Sequence, residues 1–226
     1  MRRYAVLIFA ASLTLTACAE DPSKAVPEAR VQAVEPAADK APAQAPPTRA
    51  VQAPPSGPQS IALEGQISFI GSKVTGSNTG RFTNWIGTAK LSETGELTSM
   101  SIVVQTKDVE ANFEAPTKWS KKLEAHLRDD DFFASEKHPT ATFQLDQVRA
   151  VPDKATGATH TLAGRFTIRG VTKSIRFPAT ITKTRPFSAR AEFSINRKDF
   201  GMMYDGKADN LIRDGVVMKI DLRAKG

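Results

Sequence analysis

From Ile61 to the end of the chain, apolar and polar residues alternate again and again. Ile61, Leu63, Gly65, Ile67 and Phe69 alternate with Ala62, Glu64, Gln66 and Ser68, as in a strand with one buried face. A polar turn over 71–80 follows, then a second strand over 82–91 around Trp85 and Gly87, and a third in which Met100, Ile102, Val104 and Thr106 face one way. The only helical stripe is Trp119, Leu123, His126 and Leu127, at spacings of four, three and one; Pro116 precedes it and Thr117 is placed to cap it. Ala141, Phe143 and Leu145 mark strand four, and His160, Leu162, Gly164, Phe166 and Ile168 strand five. Arg169-Gly170 allows only a tight hairpin before Ile175, Phe177, Ala179 and Ile181. Phe187, Ala189, Ala191, Phe193 and Ile195 form the seventh strand, a loop spans 196–215, and Val216, Met218, Ile220 and Leu222 form the eighth. Short connections make neighbours antiparallel, and eight such strands hide their edges best by closing. The pattern therefore predicts an all-β fold, an eight-stranded antiparallel barrel with one short amphipathic helix as a lid.

The densest stretch is HLRDDDFFASEKHPTATF, His126 to Phe143. Three aspartates suit a helix C-terminus badly, because the macrodipole there favours cations. Asp129, Asp130 and Asp131 are expected to end the helix and cap a second short turn that carries Phe132 and Phe133, with Pro139 stopping that turn ahead of a strand.

Residues 1–60 have another character. Arg2 and Arg3, an apolar run from Tyr4 to Leu15 and small residues ahead of Cys18 have the layout of a secretory signal over 1–17, too short to span a membrane comfortably. Leu15-Thr16-Ala17-Cys18 resembles the bacterial lipobox, which implies lipidation of Cys18, the single cysteine. Ala19 in place of an aspartate favours the outer membrane, so the expected location is the periplasmic face of the bacterial envelope. Nine of the fourteen prolines fall within 19–60, which holds no aromatic residue. That stretch is expected to be a disordered linker, reaching on the order of 130 Å as extended polyproline II and holding the domain of residues 61–226 off the membrane.

Residues 61–226 suffice for one domain with one core. Its cationic surplus is dispersed, and without basic runs interleaved with aromatics it does not point to nucleic acid. Catalysis is disfavoured: there is no G-x-S-x-G elbow, no phosphate-cradling glycine loop and no cysteine free of the anchor. His126, His138 and His160 sit on different expected elements, so a metal site of His126, Asp130 and His138 is a weak alternative. Neither a metal nor another cofactor is expected. Whether small inward residues such as Gly65, Gly164, Ala141, Ala179, Ala189 and Ala191 leave a cavity, or interleave with large ones in a filled core, stays open on pattern alone.

The ordered blocks HLRDDDFF (126–133), HPTATF (138–143), GRFTIRGVTKSI (164–175) and INRKDFGM (195–202) resemble the YceI-like family, lipocalin-like polyisoprenoid-binding proteins of the bacterial envelope. His138 stands where that family commonly has tyrosine, and Arg165 where it has a small polar or acidic residue. The resemblance implies an extended barrel whose tunnel holds a polyisoprenoid, isoprenoid quinone or fatty-acyl chain, without catalysis. The ligand-facing candidates are then Phe69, Phe82, Trp85, Phe143, Phe166 and Phe193 on the walls, with Trp119, Phe132 and Phe133 on the lid. His126, Arg197 and Lys198 are the head-group candidates. The competing expectation is an interaction module with a filled barrel that binds another envelope protein. Pairing of two copies is left open.

Overall fold

A computed structural model describes residues 19–34, 59–182 and 186–226. Twelve strands form one sheet around a single apolar core, and eight of them close the barrel. In chain order the strands are β1 (Arg30–Ala33), β2 (Gln59–Lys73), β3 (Gly76–Phe82), β4 (Trp85–Leu91), β5 (Leu97–Gln105) and β6 (Val109–Ala111). After the helix α1 (Ser120–Arg128) come β7 (Thr140–Ala150), β8 (His160–Ile168), β9 (Val171–Thr182), β10 (Ser188–Asn196), β11 (Gly206–Lys207) and β12 (Asn210–Ala224). The barrel runs β2-β4-β5-β7-β8-β9-β10-β12, and antiparallel pairing of β12 with β2 closes it.

The turn expected over 71–80 is a strand pair instead. β2 continues to Lys73 and pairs with β3, so only Val74 and Thr75 turn. Thr75 and Ser77 face solvent in an extended hairpin while Ser72 is buried, and Gly80 is needed because a Cβ would meet the Phe69 ring at 2.2 Å. The second expected strand is likewise two: β3 and β4 are separated at Thr83-Asn84, whose backbone and side chains bond to Asp108. The loop over 196–215 is shorter than expected, because β12 starts at Asn210 and a 3-10 turn covers Arg197–Phe200. The Arg169-Gly170 hairpin has both residues at positive φ, 51° and 72°, the twist a two-residue hairpin requires.

One end of the barrel, which we term the lid end, gathers α1, the 132–133 turn, the β2–β3 and β8–β9 turns and the loop between β10 and β12. Thr117 does not cap α1. Its own N–H donates to Ser120 Oγ, its hydroxyl accepts from Trp119 N–H, and Trp119 is the N-terminal cap residue. Nor do the aspartate side chains cap a second turn. Asp130 pairs with Lys137 and Asp131 with His126, while the Asp129 carbonyl accepts from Phe132 and Ala134. The Lys137 ammonium at 2.5 Å holds the Asp130 carboxylate in a charge-assisted hydrogen bond, which a backbone N–H does not match. Arg169 donates to the carbonyls of Asp130 and Phe132 and so ties the turn to the β8–β9 hairpin.

The expectation of a disordered linker over 19–60 fails for 19–34. β9 and β10 pair over only three positions, 180–182 with 188–190, and then part. The N-terminal arm fills that seam: β1 pairs antiparallel with 173–176 of β9, and Ala29 and Pro27 exchange backbone hydrogen bonds of 2.8 and 2.9 Å with Ser194 of β10. Ala29 is buried in the core. Open edges of two parted strands supply the partners that the arm lacks by itself. Residues 35–58, with the rest of the expected linker, and 1–18, with the expected signal and Cys18, lie outside the described residues.

Candidate functional site: an apolar cavity inside the barrel

Inward residues of the barrel strands enclose a cavity of about 140 Å³ with almost wholly apolar walls. A void with such walls stays dry. It extends beneath the lid end, where Leu127, Phe132, Phe133, Met202 and Ile212 line it. At the opposite end Leu63, Leu91, Leu97, Ile181 and Phe187 are buried in the core without lining it.

Phe69, Phe82, Phe132, Phe133, Phe143, Phe166 and Phe193 all line this cavity. They work in groups. Phe69, Phe82 and Phe133 form a triangle with ring centroids 5.5–6.0 Å apart, which joins the lid turn to the wall. Phe143 leans on Phe177, which stacks on Phe193 at 4.1 Å. Phe166 meets the fully buried Phe200 edge-on at 5.5 Å. Alanines 141, 179, 189 and 191 leave the open space. Gly65 and Gly164 do not: a Cβ on Gly164 would meet the Phe143 ring at 2.7 Å, and one on Gly65 the Asp221 carbonyl.

Two expected wall and lid residues are elsewhere. Trp85 packs on Gly87 and does not reach the cavity. Trp119 is 61% exposed on the outer side of α1, with the Lys118 and Lys122 ammonium groups 5.3 and 5.9 Å from its ring centre. It precedes the first helical residue, so the stripe that buries Leu127 does not include it.

The head-group candidates also part company. Arg197 lines the cavity with its side chain 2% exposed, and its guanidinium donates to the carbonyls of Met202, Ile212 and Arg213 and to the carboxylates of Asp205 and Asp214. With five hydrogen bonds to the surrounding loop, Arg197 holds that loop against the barrel end. Lys198 faces outward and binds the same two carboxylates at 2.9 and 3.2 Å. Those hydrogen bonds raise the Lys198 pKa, and the one to Asp205 holds that carboxyl below its ordinary value. His126 lies outside the cavity, edge-on to Phe132 and Tyr204 at 5.0 and 5.1 Å. The His138 ring lies over Gly170. Among the described residues no group of three His, Cys, Asp or Glu side chains is placed to hold a metal ion.

Sequence reasoning missed Arg213, which lines the lid end of the cavity. Its Nη2 donates to the Ala19 carbonyl at 2.5 Å, while its buried Nη1 has no hydrogen-bond partner and stands 3.9 Å from Asp21. The alternation puts it in the loop over 196–215, and nothing in the pattern marks it. Met100, Ile102, Val104, Phe177 and Met218 also line the cavity. All five keep the alternation of their strands and were legible as inward residues.

The YceI-like domain model matches residues 62–224. The chain belongs to that family. A UPF0312 protein of Pseudomonas aeruginosa is 29% identical over 157 residues, covering 64% of this chain and 76% of the relative; one from Pseudomonas paraeruginosa is equally similar. BcnA of Burkholderia cenocepacia shares the fold at a TM-score of 0.58 and 18% identity, covering 71% of this chain and 96% of that structure. A polyisoprenoid binding domain from Saccharophagus degradans, implicated in plant cell wall breakdown, shares it at 0.52 and 16%, covering 73% and 98%. These two likenesses are of fold.

Proposed function

We propose that this YceI-like domain binds one long apolar chain, a polyisoprenoid, isoprenoid quinone or fatty-acyl group, and carries or stores it in the bacterial envelope without chemical change. The observation that carries this reading is the dry, phenylalanine-walled cavity running down from the lid end. A folded barrel that leaves apolar surface facing empty space forgoes packing energy, and a chain entering it recovers that energy. Burial contributes about 0.8 kcal/mol per CH₂ before the cost of ordering the chain, and because a void of about 140 Å³ is about the size that takes a benzene ring, it receives one segment of a long chain and admits more only as side chains move apart. The polyisoprenoid binding domain of Saccharophagus degradans supports the ligand class through its shared fold. The cavity disfavours the filled-barrel alternative, and among the described residues no Asp, Glu, His or Cys lines it. Lipidation of Cys18 and attachment to the outer membrane belong to the same proposal; Cys18→Ser should release the protein from membranes.

The test is native mass spectrometry of the protein purified from a bacterial periplasm without detergent, with organic extraction of what leaves on unfolding. Excess mass matching a prenyl or acyl chain is the expected result. A bare polypeptide that also refuses added quinones and fatty acids would sink the reading.

A further inference from the structure

Large apolar side chains exposed to solvent are not spread evenly over this molecule. Among the described residues they are Val34, Val74, Ile86, Trp119, Val151, Met203 and Leu211. Five of these seven belong to the lid end. Val34 follows β1 where it pairs with the start of β9, Val74 makes the β2–β3 turn, Trp119 opens α1, and Met203 and Leu211 stand in the loop and hairpin before β12. Val74 and Leu211 are neighbours, joined by a 3.1 Å backbone hydrogen bond. Single exposed apolar residues such as Ile86 and Val151 need no explanation, but a concentration of five at one end does.

Two independent observations say what covers that rim. Lys118 and Lys122 bracket the exposed Trp119 ring, an amphipathic aromatic flanked by cations. Such a ring seats at the head-group level of a bilayer, with the ammonium groups on lipid phosphates. The arm then fixes where the chain leaves the fold. Ala19 is held by Arg213, Ser23 lies against Gly215 and Ala33 pairs with Lys173, so both ends of the arm are at the lid end. The residue before Ala19 is Cys18. Ala19, the covalent neighbour of Cys18, is therefore held at the lid end.

We infer that the lid end is a membrane-docking face, seated on an anionic phospholipid bilayer with Trp119, Met203, Leu211 and Val74 in the interface. The lid-end wall of the cavity at Phe132 and Met202 then faces the bilayer. An apolar chain passes between membrane and barrel without crossing water, where exposing it would cost about 0.8 kcal/mol per CH₂. The inference extends the apolar-chain reading to where the chain is exchanged.

The experiment uses the full chain reconstituted in vesicles of phosphatidylethanolamine and phosphatidylglycerol whose acyl chains are brominated near the head group. Trp85→Phe leaves Trp119 as the single tryptophan. The expected result is quenching of Trp119 emission and a shift of its maximum to shorter wavelength. A reporter at the opposite end, Val151→Trp in a Trp85→Phe, Trp119→Phe background, should be unquenched, whereas Val74→Trp in that background repeats the quenching at a second rim position. Trp119 and Val74→Trp both unquenched, Val151→Trp quenched equally, or protein that stays off the vesicles would overturn the proposal. Uptake of a detergent-free fatty acid by the same protein without vesicles reads the binding function separately, so either idea can fall alone.

Discussion

Arg197 shows how one buried cation organises a loop. It donates to three carbonyls and two carboxylates, of which Lys198 also reaches only the carboxylates. Arg197→Met should cost about 3–5 kcal/mol, chiefly because it strands the three carbonyls. Arg197→Lys should recover little, because an ammonium cannot serve a planar fork of partners. Urea unfolding midpoints at constant m-value check both. The same loop titrates. Asp205 is held below its ordinary value by Lys198, so its stabilising pair is complete above the usual carboxylate range and is lost as pH falls through the lowered folded value. Lys198 is raised by Asp205 and Asp214, so its share is complete below the ordinary lysine value and is lost only as pH rises through the raised one. Amide exchange in 202–214 should therefore stay protected through neutral pH and open below about pH 4. Protection unchanged at pH 3 would show that the ion pairs do not hold this loop.

The lid helix and the arm are held by different means. Glu124 on α1 is buried, and its carboxylate accepts from the Ala111 N–H at 3.2 Å and from Lys121 at 2.9 Å, with Arg128 at 3.7 Å. Burial pushes its carboxyl up, but the hydrogen bonds from Lys121 and Ala111 with the two cations outweigh it and leave the pKa below the ordinary value. Glu124→Gln keeps an acceptor and should lose about 1 kcal/mol, whereas Glu124→Ala should lose about 2–3 by leaving the Ala111 N–H unpaired. Equal losses in thermal melts of the two variants would assign the stability to side-chain packing alone. For the arm, Ala29→Asp places a charge in the core and should expel residues 27–33. The observable is exchange of the Ser194 N–H, which donates to Pro27 at 2.9 Å. Slow exchange in that variant would mean that the arm is not held through Ala29. The barrel strands, α1 and the Arg169-Gly170 hairpin were legible because each declares itself in local periodicity or turn chemistry. The arm was not. Ala29, Val31 and Ala33 do alternate with Arg30 and Gln32, but a four-residue strand in a proline- and alanine-rich background is decided by the gap between β9 and β10, which no local pattern reports. The cavity was half legible for a similar reason: parity placed the phenylalanines inward, but only the packing shows that the Phe143 ring and backbone carbonyls close on Gly164 and Gly65 while alanines leave the space.

As a whole, the molecule is a barrel whose stability and whose capacity for a guest trade against each other. The cavity of about 140 Å³ is a standing loss of packing for the empty protein. Ala179 is buried, lines the cavity and belongs to β9, with its backbone engaged by Thr159 and His160. Ala179→Leu extends a side chain into the void from a rigid strand, so the empty barrel should melt at the same or a higher temperature than the parent. The guest should now find no room. In the parent, a fatty acid at a hundredfold excess over its dissociation constant should add about 2.7 kcal/mol of stability, and in Ala179→Leu that gain should vanish. Melting curves of both proteins with and without a long-chain fatty acid separate the outcomes. A ligand-induced shift kept in full by Ala179→Leu would put the chain outside the barrel, on the lid-end surface. Loss of the shift with an unharmed empty barrel would put it inside, because only a guest in the cavity competes with the new side chain for the same space.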